Sequence, residues 1–170
     1  MLRGATVIAM RGEGIIPNAD IVVQDNRIVA VGRRGEVDIP GGAEEIDVAG
    51  KTIAPGFVDT HAHMRPAWGL HQSQAWMFLA NLAYGVTTTR DPQTGTTDVL
   101  TYSDRVTAGT TLGPRIYSTG PGVFSGEGIR SQQHASEVLK RYSEYYRTPP
   151  IKMYLAGNPQ QRQWIITAAR

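Results

Sequence analysis

The sequence predicts an α/β chain in two parts: a small, incomplete antiparallel β unit over residues 1–54, then parallel βα repeats over residues 55–170. Three observations predict it. Short β-rich runs separated by turn residues fill the first part. After Pro55, apolar runs of strand length recur at intervals of about 30 to 35 residues, the size of a strand with its crossover helix. The stretches between those runs have helical composition and end on helix stop signals.

In the first part, residues 5–10 form a β-rich run. Residues 20–24 and 27–31 flank Asp25-Asn26, a pair suited to a tight hairpin. Gly41-Gly42 and the runs 45–48 and 50–53 continue the pattern, which reads as part of a β-sandwich. In the second part the strands are expected at 57–60, 86–89, 115–119 and 151–155. A helix is expected over 74–84, ending at Gly85 as a C-terminal cap. Further helices are expected over 99–107 and 135–146, the latter capped from 131–133.

Composition narrows the function classes. The 170 residues are 41% hydrophobic and 19% charged, ordinary for a soluble globular chain. A net charge of +2, with no Lys/Arg cluster among aromatics, excludes a nucleic-acid partner. There is no Cys, so thiolate metal sites and disulfides are excluded. No run approaches the roughly 18 apolar residues of a membrane span, and residues 1–12 do not read as a signal peptide. The compartment stays open: cytoplasm, or periplasm and beyond if the protein begins before Met1.

Parallel βα repeats build either an open doubly wound sheet or a closed (β/α)8 TIM barrel. The Gly-rich turn of a dinucleotide fold is missing after the first strand, where His61-Ala62-His63 stands instead, and that favours the barrel. A whole barrel takes about 250 residues. Four strand signals make about half of one, so residues 55–170 are expected to be a front half, truncated within its fourth unit.

His61 and His63 carry the main chemical signal. Side chains two apart on a strand share a face, and at the C-terminal end of a barrel strand that face is the active-site mouth. Two neutral imidazoles there bind one Zn²⁺-like ion. Asp59, two residues upstream, reads as an orienting or strand-end acceptor. Lys152 stands in the apolar run Pro150-Ile151-Lys152-Met153-Tyr154-Leu155, where a buried ammonium must be paired, neutral or modified. The competing reading is a strand-edge lysine that reaches solvent.

The run Gly50-Lys51-Thr52-Ile53-Ala54-Pro55-Gly56-Phe57-Val58-Asp59-Thr60-His61-Ala62-His63-Met64 resembles the barrel entry of the amidohydrolase superfamily of metal-dependent hydrolases. The hairpin over residues 20–32 is similar to that family's N-terminal sandwich. Tyr84-Gly85-Val86-Thr87-Thr88-Thr89-Arg90-Asp91 is similar to its second-strand element. The resemblance covers nearly the whole chain and points most to imidazolonepropionase-like and prolidase-like members, some of which carry a β-propeller ahead of this region.

What the resemblance implies is an enzyme hydrolysing amide or cyclic-amide C–N bonds with metal-activated water, on small amides, dipeptides or acyl amino acids. It implies His61, His63 and Lys152 as ligands of one or two divalent ions, most simply Zn²⁺, with Lys152 carboxylated by CO₂ to bridge them. It puts Arg65 on a substrate carboxylate, with a rim salt bridge as the rival reading. His71 is a substrate contact or an exposed loop residue, and Tyr154 a hydrogen-bond donor to substrate or a packing residue. Two further His and a general-base Asp would lie beyond Arg170. The rival function is a non-catalytic half barrel serving as a structural partner, and a homo-oligomer is compatible with either.

Minor expectations complete the reading. Asp91 holds nearby loops, and His134 is a surface residue. Trp68, Trp76 and Phe78 belong to the core. Residues 120–128 form a flexible loop placed where a lid would be, or a plain connection.

Overall fold

A computed structural model of the chain describes residues 1–12, 14–65, 71–148 and 150–170. They form two compact units, Met1–Pro55 and Gly56–Arg170.

The first unit is one five-stranded sheet of β1 (Leu2–Ile8), β2 (Ile15–Gln24), β3 (Arg27–Arg33), β4 (Ile46–Asp47) and β5 (Thr52–Ile53), ordered β3-β2-β1-β4, with β5 also on β1. The hairpin forms where Asp25-Asn26 predicts it. Both residues are left-handed, with φ of 47° and 58°, so a two-residue turn matches the right-handed strand twist. The antiparallel expectation holds for β1, β2 and β3 only: β4 and β5 run parallel to β1. β4 arrives over the long connection 34–45, which permits parallel pairing where a tight turn would not, and β5 continues along β1 in the same direction after residues 48–51. Ala5, Val7, Ala19 and Ile21 make the small core. Asp20 is fully buried and accepts hydrogen bonds from the Gly4 and Gly35 N–H groups at 3.3 and 3.4 Å.

The second unit begins with a three-stranded parallel sheet in the order β6-β7-β8. Its strands are β6 (Phe57–Asp59), β7 (Val86–Asp91) and β8 (Arg115–Ser118), and α1 (Trp76–Ala83) and α2 (Asp98–Thr107) are the crossovers. Strand β6 is an edge strand with all three residues exposed, Phe57 at 67%. It is not the buried strand its apolar residues suggest, because among the described residues β7 alone pairs with it. The pairing needs glycine before it. A Cβ on Gly56 would meet the Thr87 side chain at 2.1 Å.

The fourth expected strand is reduced to a single bridge. Val123 pairs with Met153 in parallel, its N–H donating to the Lys152 carbonyl at 2.8 Å and its carbonyl accepting from Tyr154 N–H at 3.1 Å. Among the described residues, 151–155 have a ladder partner at this one point, so alternation does not propagate. After it comes α4 (Pro159–Ala168), with a capping box between Asn158 and Gln161 and Pro159 at the first helical position.

The helix expected over 135–146 starts earlier. It is α3 (Gln132–Lys140), capped by the Ser131 hydroxyl and continued by a π-helical turn, Arg141–Tyr146. Two apolar clusters pack this unit. Met64, Ala75, Phe78, Val99, Tyr102 and Ile116 lie around α1, α2 and β8. Val123, Ile129, Val138, Leu139, Tyr142 and Ile165 lie around α3 and α4. Phe78 is fully buried as expected, worth roughly 1.5–3 kcal/mol. Trp76 is not core: it is 78% exposed on the outer face of α1. Trp68 lies outside the described residues.

Candidate metal centre

The chain leaving β6 stays on β7 for three more residues, with the Ala62 N–H donating to the Arg90 carbonyl at 3.0 Å. The two histidines therefore stand just past the strand, in a turn, and not within it as alternation alone suggests. The Asp59 carboxylate accepts from the His61 N–H at 2.9 Å and shapes that turn. The rings of His61 and His63 come together, centroids 5.3 Å apart and edge to face at 76°. Both residues are exposed.

His63 has a defined second partner. Its Nδ1 lies 2.6 Å from the Gln93 main-chain oxygen. A carbonyl only accepts, so Nδ1 carries the proton, and in the neutral ring Nε2 is left as a lone-pair donor. This is how proteins orient a metal-binding imidazole. Beneath it, Asp91 is fully buried, with one carboxylate oxygen 3.8 Å from His63 Nδ1. The same oxygen accepts from the Met64 N–H at 3.3 Å, and the other accepts from the Ser118 hydroxyl at 2.5 Å. Asp91 thus ties the His63 loop to the end of β8.

Beyond β8 the strand-end loops continue side by side. Thr94 bridges Pro121 and Val123 bridges Met153. Residues 120–128 are consequently held down: Val123 is fully buried, and Glu127 pairs with Arg141 at 2.6 Å. Lys152 follows on the next segment. It is half-buried, so its ammonium does not carry the full desolvation cost the apolar run suggests. Its Nζ stands 5.7 Å from the centre of the Tyr154 ring, and that ring meets Phe124 edge to face at 5.9 Å.

Arg65 is exposed immediately after the histidine loop, its N–H donating to the His63 carbonyl at 3.1 Å. His71 is engaged elsewhere. Its Nε2 is 3.1 Å from Asp98 Oδ1, and its ring leans on Tyr102 at 5.2 Å, so it faces the start of α2. Arg105 holds that segment by donating to the Gln72 and Ser73 carbonyls. His134 is not a plain surface residue: it is half-buried, and its Nδ1 is shielded with no hydrogen-bond partner among the described residues. Among those residues, no group of three or more His, Asp or Glu side chains is placed to hold an ion. The centre as it stands is a histidine pair, with Lys152 as the further candidate. Gln93 and Ser118 make contacts here that motif reading does not find.

No protein-family model matches the chain. Its curated relatives include the dihydroorotases of Bacillus thuringiensis (strain Al Hakam) and Bacillus cereus (strain B4264). Each is 46% identical over 63 residues, 37% of this chain and 14% of the relative. Among solved structures, a protein described as a prolidase from Bifidobacterium longum superposes with a TM-score of 0.75 at 26% identity, over 99% of this chain and 46% of that one. A Xaa-Pro dipeptidase with methionine bound in its active site gives a TM-score of 0.69 at 16% identity, over 99% and 53%. The chain therefore spans about half the length of these solved neighbours and a seventh of the curated relatives. The fold is a mixed α/β one, as in these neighbours. The chain is similar to the N-terminal portion of members of the amidohydrolase superfamily.

Among the described residues, no helix is long and apolar enough to cross a membrane.

Proposed function

We propose that this chain supplies one side of the active centre of a hydrolase that cleaves amide C–N bonds in small molecules. The observation that carries the reading is the His61/His63 pair, with His63 Nδ1 committed to the Gln93 carbonyl and Nε2 left free. That donor set suits a borderline ion such as Zn²⁺. A divalent ion bound there would polarise a scissile carbonyl and lower the pKa of water towards about 7. Similarity to proteins described as prolidase, Xaa-Pro dipeptidase and dihydroorotase supports amide hydrolysis as the reaction class.

In this reading, residues 56–170 are the front half of a (β/α)8 barrel and the first unit is part of a β-sandwich. The exposed apolar residues Phe57 and Val58 on β6 and Leu155 beyond the Val123–Met153 bridge suit a sheet that continues past both sides. His61 and His63 would hold the first ion. Lys152, carboxylated by CO₂, would join a second, losing its positive charge in becoming an anionic oxygen ligand. Arg65, exposed and two residues after His63, would supply a guanidinium for the carboxylate of a dipeptide or acyl amino acid. Tyr154, 49% exposed, would offer its phenol to the substrate as a donor. His71, paired with Asp98, contributes at most to the outer rim. The general-base carboxylate and the remaining ligands would come from the other half. A homo-oligomer of the whole protein is compatible with this reading.

The test is hydrolysis of Xaa-Pro dipeptides, N-acyl amino acids and dihydroorotate by Zn²⁺-loaded protein, using the 170-residue chain and a form extended through the second half. We expect turnover by the extended form, lost on chelation and in H63A, and none by the short chain. Turnover that survives chelation, or an extended form inactive on all three classes, would overturn the reading.

A further inference from the structure

We infer that Ser118 and Gly122, on the segment leaving β8, are positioning residues for His63. The placement of His63 stands by itself, and its consequence for metal binding rests on the function proposed above. Ser118 acts through Asp91. Its hydroxyl has one proton, given to the buried Asp91 carboxylate at 2.5 Å, and its oxygen accepts from the Gly120 N–H at 2.9 Å. Asp91 in turn receives the Met64 N–H, beside His63. Removing the hydroxyl would leave a carboxylate oxygen and a main-chain N–H without partners in a dry site, and the carboxylate free to turn away.

Gly122 acts through Gln93. It is buried, and its φ lies outside the left-handed region, so space and not backbone conformation demands glycine here. A Cβ would stand 3.0 Å from Gln93 Cγ, 3.2 Å from its Cδ and 3.0 Å from the Phe124 ring. Hemmed on two sides, it could be admitted only by moving Gln93 or Phe124. The Gln93 side chain would have to give by a few tenths of an ångström, and the main-chain carbonyl of the same residue accepts the hydrogen bond from His63 Nδ1. Phe124 meets the ring of Tyr154, over which Lys152 lies. Next to Gly122, Val123 pairs with the main chain at Lys152 and Tyr154. One segment of a neighbouring strand end therefore templates the histidine on one side and the lysine on the other.

The experiment is ¹⁵N NMR of the histidine side chains of the metal-free chain at about pH 8, above the ordinary imidazole range, followed by Co²⁺ titration. Wild type should show His63 protonated on Nδ1 and bare on Nε2, with a slowly exchanging Nδ1 proton. In G122A and S118A the tautomers should mix and the exchange protection fall, with Co²⁺ affinity down about 10- to 100-fold. S118T, which keeps the hydroxyl, should stay near wild type. So should G126A, whose Cβ would meet nothing within 4 Å. If S118A does not fold, G122A decides alone. A folded G122A with the wild-type tautomer and exchange rate would overturn the inference. Wild type that shows the tautomer, loses it in G122A and binds no Co²⁺ would leave the positioning standing and sink the metal reading.

Discussion

The Nδ1 proton of His63 is held by the main-chain carbonyl of Gln93 across 2.6 Å, from the strand end next to its own. This contact turns two histidines in sequence proximity into an oriented donor pair, because it decides which nitrogen of His63 is free. It also makes the site a product of strand pairing. His63 follows β6, Gln93 follows β7, and only the parallel register of those strands brings them level.

The β6–β7 pairing depends on Gly56. Replacing it with alanine puts a methyl group 2.1 Å from Thr87 Oγ1 and 2.3 Å from its Cγ2. Overpacking of this kind costs about 1–3 kcal/mol. Urea denaturation of G56A should show that loss, and G56A/T87A should recover part of it. An unchanged midpoint would mean that the strand entry is looser than described.

Tyr142 gives the chain an alkaline limit. Burial pushes its phenol up from the ordinary 10 to about 12. An unfolded tyrosine ionises near 10, so the contribution is complete below that value. It is lost as pH rises from about 10 to about 12, to a total of roughly 2–3 kcal/mol. Denaturation midpoints across that window should fall for wild type and fall less steeply for Y142F. Equal slopes would contradict the assignment.

Helix α4 is started by a reciprocal cap: Asn158 accepts from the Gln161 N–H at 2.9 Å, and the Gln161 side chain accepts from the Asn158 N–H at 2.8 Å. Loss of such a cap costs about 1 kcal/mol. N158A should therefore lower thermal stability by a few degrees, and N158D should retain most of it.

How far the sequence carried this account differs from residue to residue. The hairpin at Asp25-Asn26 was legible because two left-handed residues in a row leave few alternatives. Strands β6, β7 and β8 and their crossover helices were legible from apolar runs at regular spacing. The parallel seats of β4 and β5 were not, since two-residue strands have no periodicity to read. The run 151–155 looked like a strand because composition reports apolarity, while a strand also needs a ladder partner, and Met153 has one bridge. Trp76 was misjudged because a tryptophan in an apolar helix gives no sign of which face it takes.

The site divides the same way. His61, His63 and Lys152 are visible as residue types in a pattern. Gln93 acts through a carbonyl that every residue possesses, so no motif can mark it. Gly122 acts through the absence of a side chain, and Ser118 through a hydroxyl common to many strand ends. Such roles emerge only when neighbouring segments are placed together.

The central claim is that His61 and His63 form a divalent-metal site, and visible-range Co²⁺ titration tests it most directly. Wild-type chain should develop ligand-field bands that saturate at a stoichiometric ratio, and H61A/H63A should develop none while keeping the wild-type circular dichroism spectrum. A wild-type chain that gives no bands, or a double variant that gives the same ones, would contradict it.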